Sequence, residues 1–208
     1  MKIDIYKVYD LEESIIASGL PMLAAYNADD FDEKCVWLEI AQKDEYNTVA
    51  GNLHFKRACK LAENPAGSGH NNFLSGILVS ANVTATNVWW MQFERYHFAQ
   101  IVSSQSKMHR LRKMITDGVS PHFHTKTDLY CADMFAANAD GFDDETLAYS
   151  CPMGLQLTAR ITTNYLQLKT IYNQRKNHKL QEWRDFCGWI EDLPFAAEFI
   201  TGKKEGEK

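Results

Sequence analysis

Several things are scarce in this 208-residue chain, and each scarcity closes a class of function. No stretch approaches the ~18 consecutive apolar residues of a membrane-spanning helix. Met1-Lys2-Ile3-Asp4-Ile5 also lacks the apolar core of a secretory signal, so the expectation is a cytoplasmic protein with no membrane partner. The five cysteines, Cys35, Cys59, Cys131, Cys151 and Cys187, are odd in number and show no CxxC spacing. Neither a disulfide framework nor a zinc ribbon follows, and buried reduced thiols are expected. Positive charge is in deficit: 22 Lys and Arg stand against 27 Asp and Glu, a net charge of −5. That balance disfavours a sequence-independent nucleic-acid binder. There is no GxSxG nucleophile elbow. Gly67-Ser68-Gly69-His70 lacks the further glycine and the helix of a dinucleotide fingerprint, although its backbone N–H groups could meet a phosphate.

What is present suits one α+β domain over residues 1–200, with a polar tail at 201–208 expected to be disordered. The composition, 45% hydrophobic and 24% charged, is ordinary for a globular protein, while 12% aromatic is rich. Lys2 to Val8 reads as an opening strand. Asp10 and Glu13 have capping-box spacing before a helix carrying Ile15, Ile16 and Leu20, broken or kinked near Pro21. Cys35 to Ile40 is compatible with strand or helix, residues 51–62 with helix, and Asn64 to His70 with a loop. Phe73 to Thr86 alternates at period two and predicts a strand; Val88 to Phe98 places Trp89, Phe93 and Tyr96 at helical spacing. Leu157, Ile161, Tyr165, Leu168 and Tyr172 predict one helix, and Leu180, Trp183, Cys187 and Ile190 another.

The densest chemistry lies between Arg95 and Arg110, where one Arg at each end, two His, three Ser, two Gln and a Lys follow an aromatic helix. Lys107, His109, Arg110, Arg112 and Lys113 concentrate positive charge in an otherwise acidic chain. A small anionic ligand or cofactor fits that contrast, since guanidinium forks and Ser hydroxyls both hold phosphate oxygens. The plainer alternative is a loop leading into a solvated basic helix face. If residues 177–191 form one helix, Asn177, Gln181 and Arg184 share a face beside the apolar stripe. Arg184 then either lines a pocket or pairs at the surface with Glu182 or Asp185. His122-Phe123-His124 with Cys131 is too sparse a ligand set for a metal, so none is expected. Trp89-Trp90 could stack on a flat cofactor, but residues at helical spacing equally form core.

These residues resemble a known signature. The flavin-dependent thymidylate synthases carry Arg-His-Arg, two residues, Ser, one residue, Asn, two residues, Ser, one residue, Arg. Arg95-Tyr96-His97 is similar to the opening triplet, and Ser103 to Met108 to its Asn-to-Arg end. Gly69-His70-Asn71-Asn72-Phe73-Leu74 sits where the family has a His-Ser segment leading into a strand. Arg175, His178, Gln181, Glu182, Trp183 and Arg184 resemble the family's C-terminal Arg and its His-Ala-Gln-Trp-Glu-Ile-Arg run. The resemblance spans about residues 69–190 and is nearest to the divergent branch found in phage genomes, which would mean a host cytoplasm. Tyr96 and His97 depart from the triplet; without gaps, Gln100, Val102, Gln105 and Lys107 fall on the positions of Ser, Asn, Ser and Arg.

The resemblance implies a fold with a central antiparallel sheet flanked by helices. It implies methylation of dUMP to dTMP in a homotetramer, with FAD bound, methylenetetrahydrofolate as carbon donor and NADPH as reductant. His70, Asn71, Arg95, His97 and His178 would hold FAD. Gln92, Arg95, Ser103, Ser104, Gln105, Ser106, Lys107, Arg175, Gln181 and Arg184 would hold the pyrimidine deoxynucleotide. Ser106 and Arg184 would be catalytic, Arg184 by polarising a ring carbonyl. The rival readings are hydroxymethyl transfer to a pyrimidine nucleotide and a non-catalytic homologue that has lost FAD.

Overall fold

The computed structural model describes residues 1–42, 48–65, 67–116, 118 and 120–202. Four strands, Lys2–Tyr9 (β1), Leu78–Thr86 (β2), Gln100–Ser104 (β3) and Gln156–Asn164 (β4), form an antiparallel sheet in the order β1-β2-β4-β3. Nine α-helices accompany it among the described residues: Leu11–Ala17 (α1), Ala28–Gln42 (α2), Leu53–Ala62 (α3), Asn87–Phe93 (α4), Lys107–Thr116 (α5), Leu129–Ala137 (α6), Asp144–Ser150 (α7), Tyr165–Arg175 (α8) and Gln181–Glu191 (α9). The α+β expectation with a central antiparallel sheet is met. The backbone clusters into two compact units. One comprises Met1–Tyr6, Ala81–Thr162 and Leu180–Glu182; the other comprises Lys7–Ser80, Thr163–Lys179 and the chain from Trp183 onward.

In the first unit, Ala81, Val83 and Ala85 of β2 are fully buried while the residues between them are only partly so, which is the period-two pattern of a strand with one core face. Thr84 and Thr158, one on β2 and one on β4, join their hydroxyls at 2.7 Å. Thr86 ends β2 and caps α4, its Oγ1 accepting from Trp89 N–H. The carboxylate of Glu182, 2% exposed, accepts from both Thr86 N–H (2.9 Å) and Thr86 Oγ1–H (2.6 Å). Trp89 stacks on Phe93 with ring centres 4.8 Å apart, so that indole belongs to the core. A second apolar cluster packs Leu111, Met114 and Ile115 of α5 with Phe123, Phe135, Leu147 and Leu155.

Both edge strands are irregular. Ile5, a β-branched residue, takes φ 47° in the middle of β1, and its carbonyl accepts from Arg160 Nη1–H at 2.5 Å. In β3 the register with β4 slips between Ile101 and Ser103, leaving Val102 bulged and 62% exposed.

In the second unit, α3 starts at Asn52, whose Oδ1 accepts from His54 and Phe55 N–H. Its C-terminal carbonyls are covered by Lys169, which donates to Ala62 and Asn64, and by the Asn64 side chain. Arg57 does the same for α1, donating to the carbonyls of Ile15 and Ile16. Phe55, Phe73, Phe195 and Phe199 form an aromatic cluster with centroids 4.8–5.9 Å apart.

The helix expected from the stripe at 157–172 is instead two elements. Residues 156–164 are strand β4, with Leu157, Ala159, Ile161 and Thr163 buried at period two, and Asn164 caps a helix that begins only at Tyr165. A stripe of every fourth residue satisfies a strand as well as a helix. Other boundaries move for local reasons. Asp10 precedes α1 in the left-handed region at φ 56° with no side-chain cap bond, so no capping box forms. That helix stops at Ala17, before Leu20-Pro21-Met22 turn as a 3₁₀ segment. Residues 72–75 are 3₁₀ rather than strand, the Cys35–Ile40 segment lies inside α2, and α4 ends before Tyr96. Asn177 precedes α9, so it does not share a helical face with Gln181 and Arg184. At the C-terminus, Thr201 closes a π-helical turn, and the rest of the tail from residue 203 lies outside the described residues.

Candidate functional site

The Ser103–Lys107 segment joins the end of an edge strand to the start of a helix. Ser103 pairs with Arg160, and Ser104 with Ala159, across the β3–β4 ladder. Gln105 extends that ladder beyond the strand: its N–H donates to Thr158 O (3.0 Å), and its Oε1 accepts from Thr158 N–H (2.8 Å). The side-chain amide thus replaces a backbone carbonyl and holds the turn into α5. Ser106 then opens the helix, accepting from Arg110 N–H through its carbonyl and from His109 N–H through Oγ (3.3 Å).

Two cavities adjoin this segment and share Ser104 and Gln105 in their walls. The larger, about 700 Å³, is lined further by Ser106, His109, Arg110, Lys113, Met114 and His122. The smaller, about 350 Å³, has an apolar wall of Trp90, Met91, Ile101, Met153, Leu157 and Ala159, with Asn87, Glu94 and Lys107 around it. Trp90 is held edge-on to Phe93, and its Nε1–H donates to Leu157 O at 3.1 Å. One cavity is therefore polar and cationic, the other flat-walled and apolar. Volumes of this order hold small organic ligands.

Charge on α5 is divided by its partners. Arg112 donates to Asp144 (2.8 Å) and to the carbonyls of Ala139 and Phe142 (both 2.8 Å), so its cation is neutralised and fixed. Among the described residues, no acidic one lines the larger cavity. Leu111, Met114 and Ile115 anchor α5 in the core and leave His109, Arg110 and Lys113 outward.

The expected residues divide between the units. In the first, Ser104, Gln105, Ser106 and Lys107 come together around the two cavities, while Ser103, Gln92, Arg95 and His97 lie outside their walls. Arg95 and His97 are exposed in the turns between α4 and β3. Gln181, at the start of α9, is exposed as well. In the second unit, the Arg175 guanidinium lies over the Trp183 ring, 4.7 Å from its centre. His178 meets the same ring edge-on at 6.4 Å. Burial, with Arg175 and Arg184 nearby, lowers the His178 pKa and favours its neutral form. Arg184 donates to the carbonyls of His178 and Lys179 and so braces the turn before α9. His70 is exposed. Asn71 is fully buried; its Nδ2 donates to Asn64 O (2.8 Å) and its Oδ1 has no partner among the described residues.

Arg110 and Lys113, part of the basic run expected to meet an anionic ligand, line the larger cavity, and Trp90, weighed as a stacking surface, walls the smaller. His122, weighed only as a metal ligand, is brought to the larger cavity by tertiary folding. Among the described residues, no group of three or more His, Cys, Asp or Glu could hold a metal ion. His124 is engaged locally, its Nδ1 accepting from Lys126 N–H. No described helix is long and apolar enough to cross a membrane.

No protein-family model and no curated protein matches the sequence. Solved structures do resemble it. Flavin-dependent thymidylate synthase ThyX from Helicobacter pylori, complexed with FAD and dUMP, superposes with a TM-score of 0.67 at 12% identity, over 96% of this chain and 97% of that one. A second structure of that protein with FAD and dUMP gives 0.63 at 12% identity, over 96% of each chain. A UMP/dUMP methylase, PolB from Streptomyces cacaoi, bound with 5-Br dUMP, gives 0.56 at 10% identity, over 97% of this chain and 95% of that one. The chain has the fold of the flavin-dependent thymidylate synthases.

Proposed function

We propose that this protein is a flavin-dependent enzyme that methylates a pyrimidine deoxynucleotide, dUMP to dTMP, with methylenetetrahydrofolate as carbon donor and NADPH as reductant. The observation that carries the reading is the position of Ser104-Gln105-Ser106-Lys107. The segment that resembles the family signature lines both a cationic cavity and an apolar one, in a chain with that fold over nearly its full length. A phosphate suits the Ser hydroxyls and cations of the first cavity, and a pyrimidine ring suits the Trp90 wall of the second. Lys107 supplies a point charge where the family has a guanidinium. Gln105 is a positioning residue, its carbonyl already committed to Thr158.

The residues assigned to FAD lie in both units: Arg95 and His97 in one, His70, Asn71 and His178 in the other. In the first unit Arg95 and His97 are exposed donors that suit a pyrophosphate. In the second His70 is exposed, while Asn71 is enclosed and braces its loop. When bound, FAD supplies the redox chemistry that polypeptide side chains lack. The chain's own part is to orient the nucleotide and to set fixed charge against its phosphate and ring carbonyl, for which Arg175 and Arg184 are proposed.

A homotetramer is part of the same proposal. Large apolar side chains stay exposed in both units, among them Met22 (82%) and Leu53 (79%) in one and Tyr149 (81%) and Tyr130 (72%) in the other, and such surface favours association. A cytoplasmic site of action completes it.

The test is to add FAD to purified protein, desalt, and record the visible spectrum with and without dUMP. A retained band near ~450 nm that changes shape with dUMP is expected. Folded protein that retains no flavin would refute the synthase and leave a nucleotide-binding homologue.

A further inference from the structure

A pyrimidine ring has polar groups on its edge as well as apolar faces, and the smaller cavity encloses a side chain able to meet them. Asn87, Trp90, Met91 and Glu94 stand at i, i+3, i+4 and i+7 along α4 and its cap, so one face of that helix borders the cavity. At one end of this face Glu94 is exposed, while at the other Asn87 is only 9% exposed. Of the described residues that line this cavity, Asn87 alone is both polar and buried. Its backbone N–H is given to Leu155 O at 3.1 Å, and its side-chain amide makes no hydrogen bond among the described residues. An enclosed amide without partners is costly to the fold, and a ligand that bonds to it recovers that cost. The carboxamide offers an acceptor and donors side by side. Its complement is a carbonyl beside a ring N–H, as in uracil, or an amine beside a ring nitrogen, as in cytosine, which the same amide meets after a half-turn.

We infer that Asn87 reads the polar edge of the pyrimidine, its carboxamide accepting from N3–H and donating to O4 of a uracil ring held against Trp90. The inference rests on the nucleotide reading above and adds to it a residue that recognises the base. The isoalloxazine of a flavin carries the same imide edge. The mononucleotide is favoured because this cavity shares Ser104 and Gln105 with the cationic one, so that ring and phosphate of one small molecule fall in adjoining spaces.

Calorimetry on the full chain, treated with FAD and desalted, tests it with three probes: dUMP, dUMP methylated at N3, and 2-deoxyribose 5-phosphate. The proteins are the wild type, Asn87→Ala and Asn87→Leu, the last keeping the volume of the amide without its polarity; thermal melts check that both variants fold. The wild type should bind dUMP about tenfold more tightly than the N3-methylated form. Each variant should lose about tenfold for dUMP, bind the two nucleotides nearly alike, and keep the wild-type affinity for the sugar phosphate. Equal binding of the two nucleotides by the wild type overturns the inference, and that arm needs no variant. A folded variant with undiminished dUMP affinity overturns it too, as does one that loses the sugar phosphate in the same proportion. Flavin retention is read from the same samples. Variants that release flavin and keep dUMP put Asn87 on the flavin edge and overturn the pyrimidine. A wild type without flavin whose dUMP affinity depends on Asn87 refutes the synthase alone. A flavin-retaining wild type whose dUMP affinity ignores Asn87 removes this inference alone, and one that binds no dUMP removes both.

Discussion

Removing the Glu182 carboxylate should unbalance the junction where β2 turns into α4. Its two oxygens satisfy the N–H and the hydroxyl of Thr86, at 2.9 and 2.6 Å, with both residues under 5% exposed. Glu182→Ala leaves that N–H without a partner in a site that excludes water, a loss of about 1–3 kcal/mol for each stranded group, and adds a cavity. Thr86 Oγ1 still accepts from Trp89 N–H but loses its own acceptor, so the sum is about 3–5 kcal/mol. Glu182→Gln keeps one acceptor oxygen and should cost about half as much. Urea unfolding followed by tryptophan fluorescence reads the difference, since Trp89 lies one turn from the cap. The double variant E182A/T86A should be less destabilised than the sum of the singles, with a coupling of about 1–3 kcal/mol. A loss below about 1 kcal/mol for E182A, or additive singles, would show that water or another group serves Thr86 and would refute the argument.

Other outcomes follow from the same kind of accounting. Asp144→Ala should cost under about 1 kcal/mol, because its pair with Arg112 is 38% and 60% exposed. Arg112→Ala should cost more, about 1–2 kcal/mol, since it also strands the carbonyls of Ala139 and Phe142; equal losses on denaturation would contradict this. A Cβ at Gly154 would sit 1.9 Å from Thr127 Oγ1, so Gly154→Ala should lower stability by about 1–3 kcal/mol, and adding Thr127→Ala should restore part of it in thermal melts. Burial raises the Cys187 and Cys35 thiols to about 11, so at pH 8 a thiol reagent should modify exposed Cys131 first and those two only on unfolding. Burial, then Arg57, lowers the His54 pKa from 6.5, so the neutral ring contributes stability that is complete above that value and is lost as pH falls through the lowered one. The drop in urea midpoint between pH 7.5 and 5 should accordingly be smaller in His54→Gln.

Local signals carried much of this fold. The alternation at Ile77–Ala85 identifies β2, and the Trp183-Cys187-Ile190 stripe identifies α9, because each period has one reading over that length. Between 157 and 172 the period is ambiguous. Leu157 and Ile161 belong to a strand and Leu168 and Tyr172 to a helix, and the decisive mark is the cap at Asn164, a single residue in mid-stripe. The candidate site was legible where the chain is continuous: Ser104 to Lys107 and the basic run behind them are adjacent in sequence and line neighbouring cavities. It was not legible where distant segments meet. Nothing near Gln105 announces that its amide completes a ladder with Thr158, 53 residues away. Nor does the sequence near Trp90 show that its indole is turned by the carbonyl of Leu157, 67 residues on.

The kink at Ile5 and the bulge at Val102 stand on the two outermost strands of the sheet, and together they bear on how copies of this protein can behave when crowded. An uninterrupted edge strand offers its free N–H and C=O groups as a template on which a foreign strand can zip. Here the template is irregular on both sides: at Ile5 the backbone takes a positive φ and its carbonyl accepts from Arg160, and at Val102 an extra residue twists the ladder. Strand-by-strand fibre growth is thereby disfavoured at both edges of the sheet, whatever apolar surface the chain exposes elsewhere.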